Sequence, residues 1–88
     1  MISDLRNIAA LIDSGGEITL GHLDAVNNCV ATASDEVQCL AMLVRRKGES
    51  LDALLRRLDA AIRDAYANEN LIDEVNAPGA SRQHKPPR

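Results

Sequence analysis

The 88-residue sequence predicts an all-α protein, a small bundle of three to four helices with a disordered C-terminal tail. Two observations predict it. Apolar residues recur at spacings of three and four through most of the chain, and cap residues and glycines punctuate the intervals between these stripes. No segment shows a clear strand pattern. Residues 1–76 therefore read as one helical domain, and 77–88 as a disordered basic tail.

The first helix is expected over about Asp4–Asp13, with Ser3 as its N-cap. Leu5, Ile8, Leu11 and Ile12 share a face, and Gly15-Gly16 stops it. The second starts at the cap Thr19, where Ile18 and Leu23 fit a hydrophobic staple and Leu20, Val26 and Val30 continue the stripe. Gly21, Asn27 and Asn28 lower its propensity, so it depends on packing. The third is capped by Ser34, with Asp35 and Glu36 in the first turn, where the helix dipole favours acids. Its stripe is Val37, Leu40, Ala41 and Val44, widened by Met42 and Leu43. Arg45-Arg46-Lys47 crowd its end before Gly48.

The fourth helix is the best marked. Ser50 caps it, and Leu51, Leu54, Leu55, Leu58, Ile62 and Ala65 fall at helical spacing. Asp52–Arg56 and Asp59–Arg63 are four-apart pairs with the acid first, the favourable orientation. Asn68-Glu69-Asn70 breaks or loosens it. Leu71, Ile72 and Val75 suggest a short apolar turn that folds back. From Ala77 the sequence turns to Pro, Gly, Ser and basic residues with no apolar period, a composition that does not form a core.

One Tyr, no Phe and no Trp leave the core to aliphatic residues. Aromatic side chains normally supply much of a small core, so a homodimer that enlarges it is expected. Residues 1–76 hold all 13 acids and seven bases, and the tail holds three bases. An acidic body disfavours nucleic acid, whose affinity is dominated by phosphate. No apolar run is long enough for a membrane span, and Met1-Ile2-Ser3-Asp4 does not open a secretory leader. A cytoplasmic protein is expected, with Cys29 and Cys39 as buried structural thiols.

Nothing in the sequence assembles catalytic chemistry. Cys29, Cys39, His22 and His84 have no recognisable zinc spacing. His22 lacks an orienting acid across a helix face. Ser14-Gly15-Gly16 lacks the Lys and the spacing of a phosphate loop. No cofactor, metal or enzymatic role is expected. The Leu51, Leu54, Leu55, Leu58, Ile62 stripe is either core, dimer seam or partner groove. Arg45, Arg46, Arg56 and Arg57 are candidates for a basic rim around it.

Lys47-Gly48-Glu49-Ser50-Leu51, then Leu54 to Ile62, and later Ile72-Asp73-Glu74-Val75-Asn76 resemble the C-terminal halves of small helical accessory proteins of tailed phages and prophages. The resemblance spans about residues 47–76 and implies an interaction role, modulation or inhibition of a host protein by occluding a surface. A helical protein-interaction module is therefore the leading expectation. The alternative is a small helix-turn-helix-like DNA-binding transcriptional regulator, formed by the second and third segments. Against it, the third segment opens Ser34-Asp35-Glu36, which phosphate would repel.

Overall fold

The segments expected to be the second and third helices are β-strands. The structure, a computed structural model, describes residues 5–76 and 81–83. The chain runs α1 (Arg6–Asp13), β1 (Glu17–Leu23), β2 (Asn28–Ser34), β3 (Cys39–Val44), α2 (Leu51–Asn68), β4 (Asn70–Asp73) and β5 (Ser81–Gln83). The strands form one mixed sheet in the order β1-β2-β3-β4-β5. All neighbours are antiparallel except β3 and β4, which are parallel and joined through α2. The helices pack on each other and on the sheet. This α/β architecture replaces the expected all-α bundle. It also removes the helix-turn-helix outline, since both of its segments are strands.

The physical reason is non-local. Cys39–Val44 is a continuous apolar run, a pattern that suits a buried strand as well as a buried helix. Sheet pairing settles the choice, placing Ala41 opposite Ala33 and Leu43 opposite Ala31. In β2, Ala31 and Ala33 face the helices, while Val30 and Thr32 alternate with them; small alanines hide that period of two. Asp35 and Glu36 lie in a hairpin turn and not in a helix. The Asp35 carboxylate accepts the amides of Val37 (2.8 Å) and Gln38 (2.7 Å), and the Asp35 amide donates to the Gln38 carbonyl. Leu71 and Ile72 belong to β4, where the return after α2 adds a strand and not a helical turn. β5 likewise places strand inside the segment expected to be wholly disordered.

The two helices fall close to their expected positions. Ser50 caps α2 by accepting the Ala53 amide at 3.0 Å, and Glu69, in the left-handed region at φ 56°, ends it. Ser3, the cap expected for α1, lies outside the described residues. Leu5 occupies the N-cap position with no side-chain cap. Asp59 of α2 supplies the missing acceptor, taking the Ile8 amide at 2.8 Å and the Asn7 side-chain amide at 2.9 Å. A carboxylate there satisfies an orphan donor and complements the helix dipole, which explains why a charged residue sits 8% exposed beside the core. Gly15-Gly16 closes α1. The Gly16 amide reaches the Leu11 carbonyl (2.8 Å) and the Gly15 amide that of Ile12 (3.1 Å), with Gly15 at φ 100°. A Cβ on Gly16 would fall 2.5 Å from Leu11 and 2.8 Å from the Ser34 carbonyl, so only glycine fits between α1 and β2.

The core lies between the helices and the sheet. Leu40, Leu43, Leu54, Leu58 and Ile62 are its largest fully buried side chains. Leu5, Ile8 and Leu11 of α1 close one side.

Candidate functional site

The fold settles the environment of the α2 stripe. Leu54, Leu58 and Ile62 are buried in the core, Leu55 is half-buried against it, and only Leu51 is largely exposed. Most of the stripe is therefore occupied by the chain's own sheet. The four arginines do not rim it. Arg56 pairs with Asp52 at 2.8 Å on the exposed side of α2. Arg45 donates its Nε–H to the Glu49 carbonyl at 2.6 Å, holding the β3–α2 loop. Arg46 extends into solvent, and Arg57 points inward.

Arg57 organises the most elaborate polar cluster among the described residues. Its Nε donates to Glu49 at 2.9 Å and its Nη2 to the other Glu49 oxygen at 3.0 Å. Nη1 meets both oxygens of Glu74, at 3.0 and 3.2 Å, and Nη2 also reaches the Val44 carbonyl at 2.9 Å. A guanidinium has five N–H donors on three nitrogens, and all three nitrogens are engaged. The carboxylates are occupied too: Glu49 also accepts the Arg46 amide at 2.8 Å, and Glu74 the Val44 amide at 2.9 Å. The Arg57 hydrogen bonds lower the Glu49 pKa from its ordinary 4.5 to about 2, against the opposing cost of burial. The same pairing raises Arg57, Glu49 being the larger contributor among the bonds.

This cluster lies where β3 and β4 end and α2 begins, the carboxyl edge at which open α/β sheets commonly hold ligands. Its chemistry is different. Here the bonds of Arg57 join loop, helix and strand, the arrangement of a structural clamp. Arg57 and Glu74 also line a groove of about 440 Å³ between α2 and β4, with Leu43, Ala60 and Ile72 within and the exposed Arg46 and Arg63 along it.

Other reactive side chains are dispersed. Cys29 and Cys39 are free thiols, but Cys29 is half-buried and Cys39 exposed, not both buried as expected. Cys39 is the first residue of β3. His22 stands on β1, with Asp24 3.2 Å away and both side chains largely in solvent. Among the described residues there is no group of three or more His, Cys, Asp or Glu side chains able to hold a metal ion, and no helix long and apolar enough to cross a membrane.

The surface that sequence reasoning missed is β1. Among the described residues it forms one edge of the sheet, paired on one side by β2 over all seven of its residues. Six of the seven are exposed; only Ile18 is partly covered by the core. Leu20 is 42% exposed and Leu23 36%. The strand has no Pro, Lys or Arg and no bulge in its pairing with β2, the usual devices that protect an edge. The opposite edge, β5, is three residues long. The signal was present in Glu17-Ile18-Thr19-Leu20, which alternates polar and apolar. The staple reading of Ile18 and Leu23 concealed it.

Compared with protein families, curated proteins and solved structures, the chain matches none.

Proposed function

We propose that this protein is a protein-interaction module whose working surface is the β1 edge, which accepts a strand from a partner. The observation that carries this reading is the unguarded seven-residue edge Glu17–Leu23, with Leu20 and Leu23 exposed. Strand addition uses main-chain hydrogen bonds for affinity and alternate side chains for specificity. An edge strand supplies the former, and Leu20 and Leu23, on opposite faces, supply the latter. The occlusion of a host protein implied by the phage-protein resemblance would act through this edge in place of the α2 stripe, whose central leucines are buried.

The test is capture of partners from the native cell with the wild-type chain, Leu20→Lys and, as a control on the exposed start of α2, Leu51→Asp. Partners retained by wild type and Leu51→Asp but lost by Leu20→Lys are expected. Partners held equally by Leu20→Lys would remove the reading.

A further inference from the structure

We infer that the strand received by β1 is β1 of a second copy, paired antiparallel about a two-fold axis centred on Leu20. This inference rests on the reading of β1 as the interaction edge and names its occupant. An isologous strand pair places one residue opposite its own copy, because hydrogen-bonded and non-hydrogen-bonded pairs alternate along the ladder. For Glu17–Leu23, only the axis through Leu20 pairs all seven residues. Glu17 then faces Leu23 of the copy, Ile18 faces His22, and Thr19 faces Gly21.

Three features of the chain suit that register. First, the centre of the register is apolar. Ile18, Leu20 and His22 lie opposite Ala33, Ala31 and Cys29 in β2, so they occupy the helix-covered face. Leu20 therefore meets Leu20, removing the largest apolar exposure of the strand from water. Second, the charges separate. Glu17 is the only acid in β1, and reversal of the strand puts the two Glu17 residues at opposite ends, roughly 20 Å apart at the usual rise per residue. Third, space is available: a Cβ on Gly21 would meet no atom within 4 Å, leaving room for Thr19 of the copy.

A second copy also answers an apolar surface that a bare strand would leave exposed. The helix α1 packs beside β1, and it carries a cleft of about 260 Å³ lined by Leu5, Ile8, Ala9 and Ile12, with Asp13 at its end. Ile12 is 50% exposed. Two copies joined through β1 bring two such helices toward one seam above a continuous ten-stranded sheet. The interface is a single strand pair with a few aliphatic contacts, below the size of a standard stable complex. Each copy also has its own closed core, with Leu54 and Leu58 fully buried. The dimer is accordingly reversible, and its population follows protein concentration.

The experiment is sedimentation velocity over about a hundredfold range of concentration, where mass action moves a reversible dimer. The wild-type mass is expected to rise from one chain toward two. Leu20→Lys and Leu20→Glu should each remain monomeric, because like charges would face each other directly. An equimolar mixture of the two variants should recover the dimer, because opposite charges then face across the axis. A wild type that stays monomeric, or a mixture that stays monomeric while the wild type dimerises, overturns the inference. Monomeric wild type with partner capture still dependent on Leu20 overturns the second copy alone and leaves the edge reading intact. Capture indifferent to Leu20 removes the edge reading itself.

Discussion

The Arg57 cluster and the β1 edge sit on different parts of one small sheet and use their polar groups in opposite ways. Around Arg57, five guanidinium contacts meet two carboxylates and a carbonyl, and each carboxylate also takes a main-chain amide. On β1, only the β2 side of the backbone is paired among the described residues, and Leu20 and Leu23 stand in solvent. The cluster has the charged residues that usually attract functional attention, yet its charges are paired with one another. The edge has almost no charge, yet it is open. Local saturation, more than residue type, separates a structural site from a binding one.

The largest expected effect comes from opening the closed region. Arg57→Ala leaves Glu49 and Glu74 facing each other without their cation, where each carboxylate side chain is at most 22% exposed. A loss of about 2–4 kcal/mol is expected, as for the removal of one partner from a largely buried ion pair. Urea unfolding measures it, and Arg57→Lys should recover only part, since an ammonium cannot reproduce the fork. If Arg57→Ala unfolds like wild type, the cluster is not the clamp described.

Acid should loosen the same region. Glu49 is held at about pKa 2 in the fold against an ordinary 4.5. A depressed carboxylate pKa means the unfolded chain binds the proton more readily. The Glu49 contribution is therefore complete above about pH 4.5 and lost as the pH falls toward 2. Unfolding midpoints measured across that window should fall with pH, and Glu49→Gln should flatten the fall. An identical slope in the variant would assign the acid sensitivity to other groups.

A smaller loss, about 1–2 kcal/mol, is expected for Asp59→Ala, which strips α1 of its borrowed cap and leaves the Ile8 amide unpaired. Thermal melting reads it, and Asp59→Asn, which keeps an acceptor, should lie between the two. Smallest of all is the stability change for Leu20→Lys, within about 0.5 kcal/mol as for surface positions away from special features. Its association, by contrast, should disappear. That split between stability and assembly is the sharpest contrast with Arg57→Ala, which should show the reverse.

The parts of the fold legible in the sequence are those determined by local chemistry. Ser50, the leucine stripe and the Asp52–Arg56 pair specify α2 with little help from elsewhere, whereas Asp59 caps α1 in place of pairing with Arg63, and Gly15-Gly16 marks the end of α1. The strands were not legible because their evidence is distributed. Met42 and Val44 are apolar like Ala41 and Leu43, with which they alternate, so β3 shows no period of two. Ser34 and Asp35 imitate the start of a helix while serving a strand end and a hairpin turn. The candidate site shared this fate. An edge strand is defined by what fails to pair with it, and that is a property of the whole sheet. Arg57, Glu49 and Glu74 illustrate the same limit: their sequence separation gives no hint that they converge, and the fold brings them together by returning β4 beside β3.

Hydrogen exchange as a function of protein concentration tests the central claim most directly. Exchange resolves individual amides, and local protection reports which ones are closed off from water. Pairing of the β1 edge with a second copy predicts protection that grows with concentration and is confined to Glu17–Leu23 and the adjoining face of α1. Concentration-dependent protection centred on α2, or a β1 whose exchange never changes with concentration, would contradict it.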